Sequence, residues 1–229
     1  MKMSLPLLLS ANGGFVDTAG FLALQGLFTS HVTGNFVTLG AALVLGTSGV
    51  VAKLLALPMF CLVVFAARLL TLALPERIWS PMRALLGLKV ALLGLSAAFA
   101  ILLGPFRSGD GWQAILTGMT LVAAMAIQNA IHRMHMASTS PTTIMTGNTT
   151  QVMIDLADSL RPLSPEERNV IRTRLRRMSS SIVAFAIGCA AAALFYALRG
   201  DWCFLVPPLV GICMLFLPAA SAASAARTP

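Results

Sequence analysis

Asp17 is the residue whose type and place most demand chemistry. It stands in NGGFVDTAGF, within a long apolar stretch. A carboxylate at membrane depth is costly and by default marks a functional site. It could carry a proton, bind a cation or contact a solute. The bland alternative is a buried hydrogen-bond clamp onto the neighbouring turn. The second pattern is a triplet, Thr33-Gly34-Asn35, which recurs as Thr146-Gly147-Asn148. A helix that starts inside a membrane leaves its first N–H groups without partners. Thr33 and Thr146 can cap such a start with hydroxyls, and Asn35 and Asn148 with amide oxygens. Gly34 and Gly147 permit the sharp turn. The N–H groups and the helix dipole would then favour a polar or negative ligand group. Equally, the triplets can build re-entrant turns satisfied entirely by themselves. In the second copy the place of Asp17 falls near Gln128-Asn129, after a one-residue gap. At most one of the two sites therefore titrates. The candidate solute contacts are Asp17, Thr33, Gly34, Asn35, Gln128, Asn129, Thr146, Gly147 and Asn148.

Other polar residues read more plainly. His31, two residues before the first triplet, reads as an interfacial histidine rather than a proton relay. His132 and His135 share a helix face at i, i+3, but no acidic partner lies near them, so no metal is assigned. Asp158 reads as solvated, and Asp155 as a possible cavity lining. Cys61, Cys189, Cys203 and Cys213 form no CxxC pair and read as apolar-buried thiols. There is no GxSxG, HExxH, P-loop or dinucleotide fingerprint. The chain is therefore read as a non-enzyme without cofactor or metal.

The elements that must position these residues follow from composition. The chain has 229 residues, of which 57% are hydrophobic and 10% charged; its mean hydropathy is +0.84. Soluble domains carry about 25% charged residues, so this is an integral membrane chain. The net charge of +8 then reports topology rather than nucleic-acid binding. Segments 5–28, 50–74, 84–103, 112–131, 181–198 and 203–223 are each near the roughly 20 residues needed to span. Pro58 and Pro207-Pro208 predict kinks, and Asn12-Gly13-Gly14 a loosened first helix. Two shorter runs, 35–45 and 148–160, follow the triplets. Ser164-Pro165-Glu166-Glu167 reads as a capped helix start continuing into the fifth span.

Lys and Arg gather around Arg77, around Arg133 and from Arg161 to Arg177. All three regions stay on the cytoplasmic side only if the two short helices enter and return. Lys53 is a mild exception near the outer face. The reading is an all-α polytopic membrane protein. It has six transmembrane helices plus two short re-entrant half-helices in an inverted 3+3 repeat. Residues 1–229 form one membrane domain, with pseudo-repeats at about 1–105 and 106–229 and both termini cytoplasmic. Inverted repeats are a common transporter plan. The small residues of AFAIGCAAAAL predict close helix packing, internal or across a homodimer.

The stretch GGFVDTAGFLALQGLFTSHVTGNFVTLG resembles the opening of the bacterial YoaK-like membrane proteins, a family of unknown function. AMAIQNAIHRMHMASTSPTTIMTGNTTQVMIDLA is similar to that family's second signature. Asp17, Gly34, Asn35, Gln128, Asn129 and Gly147 occupy the matching motif positions. The resemblance implies a small multi-pass protein of the bacterial inner membrane and supplies no substrate. The expected function is a secondary transporter or permease for a small polar or anionic solute. Its partners would be the lipid bilayer, the solute and, in a homodimer, a second copy, with no nucleic acid. The alternative is a non-transporting membrane scaffold.

Overall fold

Long apolar runs bounded by Pro, Gly and Ser should become membrane-length helices. In the computed structural model, which describes residues 4–73 and 80–217, they do. The elements are α1 (Leu5–Ala23), α2 (Gly34–Leu45), α3 (Val50–Ala73), α4 (Pro81–Leu103) and α5 (Trp112–His135). They continue as α6 (Met145–Asp158), α7 (Pro165–Arg199), a 3-10 segment (Gly200–Leu205) and α8 (Val206–Leu215). Among the described residues there is no strand.

Four stretches are long and apolar enough to cross a membrane: α3, α4, α5 and the stretch Pro165–Leu215, which holds α7, the 3-10 segment and α8. Large apolar side chains such as Val37, Val44, Phe65, Leu102 and Phe216 stand exposed, as a lipid-facing surface would have them. The chain is thus a membrane-embedded helical protein. The expected first span, 5–28, is helical only to Ala23. It is not among the four apolar stretches, since Ser10, Asn12, Gly13, Gly14 and Asp17 dilute it. The expected sixth span, 203–223, is described only to residue 217, and Arg77 lies outside the described residues.

Several local expectations change. Asn12-Gly13-Gly14 does not break α1, which runs through without interruption. The glycines serve packing instead. A Cβ on Gly14 would stand 2.2 Å from the Phe185 carbonyl oxygen, and one on Gly188 only 1.9 Å from that of Ala11. α1 and α7 therefore cross backbone against backbone. This is the close packing expected of small residues, and here it is internal. Pro207-Pro208 do not kink a long helix. They sit in the first turn of α8, where the missing N–H groups would have been unpaired anyway. The capped start of α7 is as read: Ser164 and Glu167 form a reciprocal capping box. Cys61 and Cys213 are exposed rather than buried, Cys189 is half-buried and Cys203 buried. Outward exposure here meets lipid, which suits a thiol as well as a core does.

The helices pair in a pattern. α1 lies along α7 as α3 lies along α5; α8 packs on α1 as α4 packs on α5; α2 packs on α3 as α6 packs on α7. α5 is the central element, with 78% of its most apolar window buried against 17–39% in the other three spans. At one end of the bundle the α4–α5 loop closes over the start of α3. Asp110 accepts hydrogen bonds from the backbone N–H groups of Gly49 (2.8 Å), Val50 (3.2 Å) and Val51 (2.7 Å). Beside it Lys53 is buried, donating to the carbonyls of Gln25 (2.9 Å) and Ser48 (3.3 Å). Burial pushes the Asp110 carboxyl up, but the N–H groups of Gly49, Val51, Val50 and Ala52 outweigh it. The net effect holds the carboxyl below its ordinary value.

Candidate functional site

After α1 the chain does not continue outward. It turns at Gln25 and Gly26, both with positive φ, and comes back to the level of Asp17. There one carboxylate oxygen of Asp17 accepts from the Thr29 N–H (2.7 Å), the Thr29 hydroxyl (3.1 Å) and the Ser30 N–H (2.8 Å). The other meets His31 Nδ1 at 2.5 Å. Asp17 is buried, and the His31 side chain is 35% exposed. The clamp reading of Asp17 is therefore what the geometry shows. Its partner His31, read from the sequence as a plain interfacial residue, is the route by which Asp17 reaches the surface. Sequence spacing could not give this contact, since it depends on the chain doubling back over 14 residues.

The triplets work differently from expectation. Thr33 is exposed and makes no cap hydrogen bond. The first N–H groups of α2, on Gly34, Asn35 and Phe36, are taken up by the carbonyls of His31, Val32 and Thr33. No ring of free donors faces a ligand there. Asn35 is buried and closes the loop behind it, accepting from the Phe28 N–H and donating to the Phe28 carbonyl, both at 2.8 Å. In the second copy Thr146 and Gly147 are exposed, and α6 already begins at Met145. Asn148 is buried and donates to the Pro141 carbonyl at 3.0 Å. Each Asn thus ties itself to the residue seven positions back. A short amide that can accept and donate fits loop closure at least as well as capping, which is why local chemistry misled.

The equivalence extends further. Where Asp17 holds Thr29 and Ser30, Gln128 and Asn129 hold Thr142 (3.1 Å) and Thr143 (2.8 Å) through side chains. These loop residues stand at the same distance before their triplets. Gln128 also donates to the Leu9 carbonyl (2.9 Å), tying the loop to α1.

Sequence reasoning passed over Lys89. It interrupts the apolar stretch of α4 and is fully buried. Its amine donates to Gln128 Oε1 at 2.6 Å, and among the described residues it contacts no carboxylate. A lone cation in an apolar run is itself a signal. On α1, Asn12 donates to the Pro207 carbonyl (3.1 Å), while its own buried carbonyl oxygen has no partner among the described residues. These groups divide the interior. One apolar cluster gathers Phe15, Leu24, Leu93, Leu121 and Phe204; another gathers Leu9, Leu85, Ile127, Ile131 and Met214. Along α1, α4 and α8, Asn12, Lys89 and the Pro207 carbonyl fall between the two, and on α5 Gln128 lies where the clusters meet.

Two cavities lie along the α1–α7 seam. One, of about 320 Å³, is walled by Phe21, Phe28, Phe185 and Cys189, with Asp17 and His31 in its lining. The His31 ring stands edge-on to Phe185 at 5.8 Å. The other, of about 390 Å³, lies beside Pro6 and Leu7 of α1 and Arg176 and Arg177 of α7. Along α1, Gly14 falls between the two; along α7, Gly188 falls between Phe185 and Cys189 of the first. Of the remaining polar candidates, Asp155 is buried and ion-paired with Arg174, joining α6 to α7. His132 meets the Thr139 carbonyl at 3.3 Å, and the buried Nε2 of His135 has no partner among the described residues.

Comparison with curated proteins and with solved structures gives no match. A family model does match, over residues 5–217, so all the elements above fall within it. The chain belongs to that family, DUF1275, described as a protein of unknown function.

Proposed function

We propose that the protein is a secondary permease for a small anionic solute, with six spans and two re-entrant half-helices arranged as an inverted repeat. The observation that carries this reading is Lys89. A fully buried amine whose partner is a neutral amide is expensive in a membrane interior. An anionic solute would supply the missing counter-charge. The helix pairing supports the repeat, since exchanging the first four α-helices with the last four maps every contact between α-helices onto another or onto itself. The two cavities, set apart along α1 on either side of Gly14, suit access from alternate faces. Asp17 and His31 would carry the coupling proton. The basic end bearing Arg133 and Arg161 to Arg177 would face the cytoplasm of a bacterial inner membrane. No catalytic step is assigned, and the partners are the bilayer and the solute.

Proteoliposomes bearing the full chain, challenged with a panel of small carboxylates, phosphates and halides, test it. Anion-dependent uptake in the wild type and its loss in Lys89→Met, with the melting point within a few degrees, is expected. Uptake undiminished in Lys89→Met, or absent for every anion in the wild type, overturns the reading. A second reading, a non-transporting scaffold, has one observation in its favour: Arg168 and Arg172 are exposed on α7. Replacing both with Ala should leave a permease active and disable a scaffold.

A further inference from the structure

We infer that the cavity between the start of α1, the α5–α6 loop and α7 is a binding site for a phosphate group. It has a volume of about 390 Å³, and its lining includes Ser4, Leu7, Ser140, Arg176, Arg177 and Ser181. A second cavity of about 490 Å³ shares Ser140 and Arg177 with it and adds Arg174 and Thr173. No carboxylate lines either one. Arg174 is committed to Asp155, and Arg177 donates to the Ser138 carbonyl at 2.7 Å while its other N–H groups bond to no described residue. Arg176 forms no ion pair among the described residues. Ser181 is 2% exposed and lines the cavity, and its hydroxyl bonds to no described residue. A guanidinium fork set among hydroxyl donors matches the oxygens of a phosphate. Leu7 and Pro6 supply an apolar wall, which suits a phosphate ester better than the bare ion.

The position gives the site a consequence. Thr139 and Ser140 lie just before Thr142 and Thr143, the residues held by Gln128 and Asn129. A bound phosphate would therefore brace the loop that reaches Gln128 and, through it, Lys89. The site stands whether or not the protein transports anything.

The phosphate could belong to a lipid headgroup or to a soluble compound, and the test separates these. The full chain in neutral detergent is melted against sodium phosphate, glycerol 3-phosphate and, at equal ionic strength, sodium chloride. In parallel it is melted in vesicles of phosphatidylcholine with and without phosphatidylglycerol. Stabilisation by the soluble phosphates identifies a soluble source, and stabilisation by phosphatidylglycerol alone identifies a headgroup. Arg176→Gln should weaken the effective ligand about tenfold or more, as loss of a charged hydrogen bond does. Arg172→Gln removes the same charge from the same helix outside the cavity and should change it less than about twofold. Ser181→Ala should weaken binding with an unchanged melting point in the absence of ligand. Equal effects of Arg176→Gln and Arg172→Gln, or no response to any phosphate beyond that to chloride, overturn the assignment.

Discussion

Asp17 holds four donors from three consecutive residues, and that fixes what its replacement should do. Asp17→Asn keeps one acceptor oxygen for Thr29 and Ser30 and loses the charge facing His31. It should cost about 1–3 kcal/mol of stability, and Asp17→Ala more, because several buried donors lose their partner. Thermal melting in detergent measures both. If coupling runs through this pair, Asp17→Asn should also abolish proton-coupled uptake while the protein still inserts. Full coupled uptake in that variant removes Asp17 from the mechanism. The loop-closing asparagines give a matched expectation. Asn35→Ala removes two hydrogen bonds to Phe28, and Asn148→Ala one to the Pro141 carbonyl and a weak one to the Met145 sulfur. The first should therefore be the more damaging, by about 1 kcal/mol.

The α1–α7 crossing sets the tolerance of the elements. Gly188→Ala would drive a methyl into the Ala11 carbonyl, with no side chain able to swing away. Such backbone-against-backbone overpacking should cost about 1–3 kcal/mol or more. Gly147→Ala, with nothing within 4 Å of the added methyl, should be tolerated. Equal melting points for the two variants would contradict the crossing. The cap on α3 behaves as an acid-sensitive clasp. Asp110 has its carboxyl held below the ordinary value, so its contribution is present above about pH 3.9 and lost as pH falls through the folded value. Asp110→Asn should lower the melting point at neutral pH, flatten the acid limb of the profile and leave its most acidic end little changed. This clasp was invisible in the sequence, because Asp110 is about 60 residues from its partners and no local pattern marks it. The capping box of α7 was legible, because Ser164 and Glu167 act within one turn.

For the whole molecule, run length and the Pro, Gly and Ser boundaries carried α3, α4, α5 and α7 directly. α1 was misjudged in length, because Leu24, Leu27 and Phe28 prolong the apolar run yet the chain folds back to Asp17. Apolarity records that a segment avoids water; it does not record which way the chain runs. Lys89 was readable as a lone cation in an apolar stretch, but its partner Gln128 lies 39 residues away. The inverted arrangement itself has a direct test. With the native cysteines replaced, single cysteines at Thr47 and Ser138, both exposed, should label from opposite sides of the membrane. Labelling of both from one side would sink the repeat.

The short helices α2 and α6 carry a consequence for the bilayer. α2 has 12 residues and α6 has 14, about 18–21 Å of helix against roughly 30 Å of hydrocarbon. Both present outward apolar side chains, Val37 and Val44 on one, Met153 and Ile154 on the other. Lipid beside them meets a wall shorter than its own leaflets, once on each flank of the bundle. Such mismatch is relieved by local thinning. The protein should therefore be more stable in bilayers of shorter acyl chains, and it would carry a thinned annulus with it through the membrane.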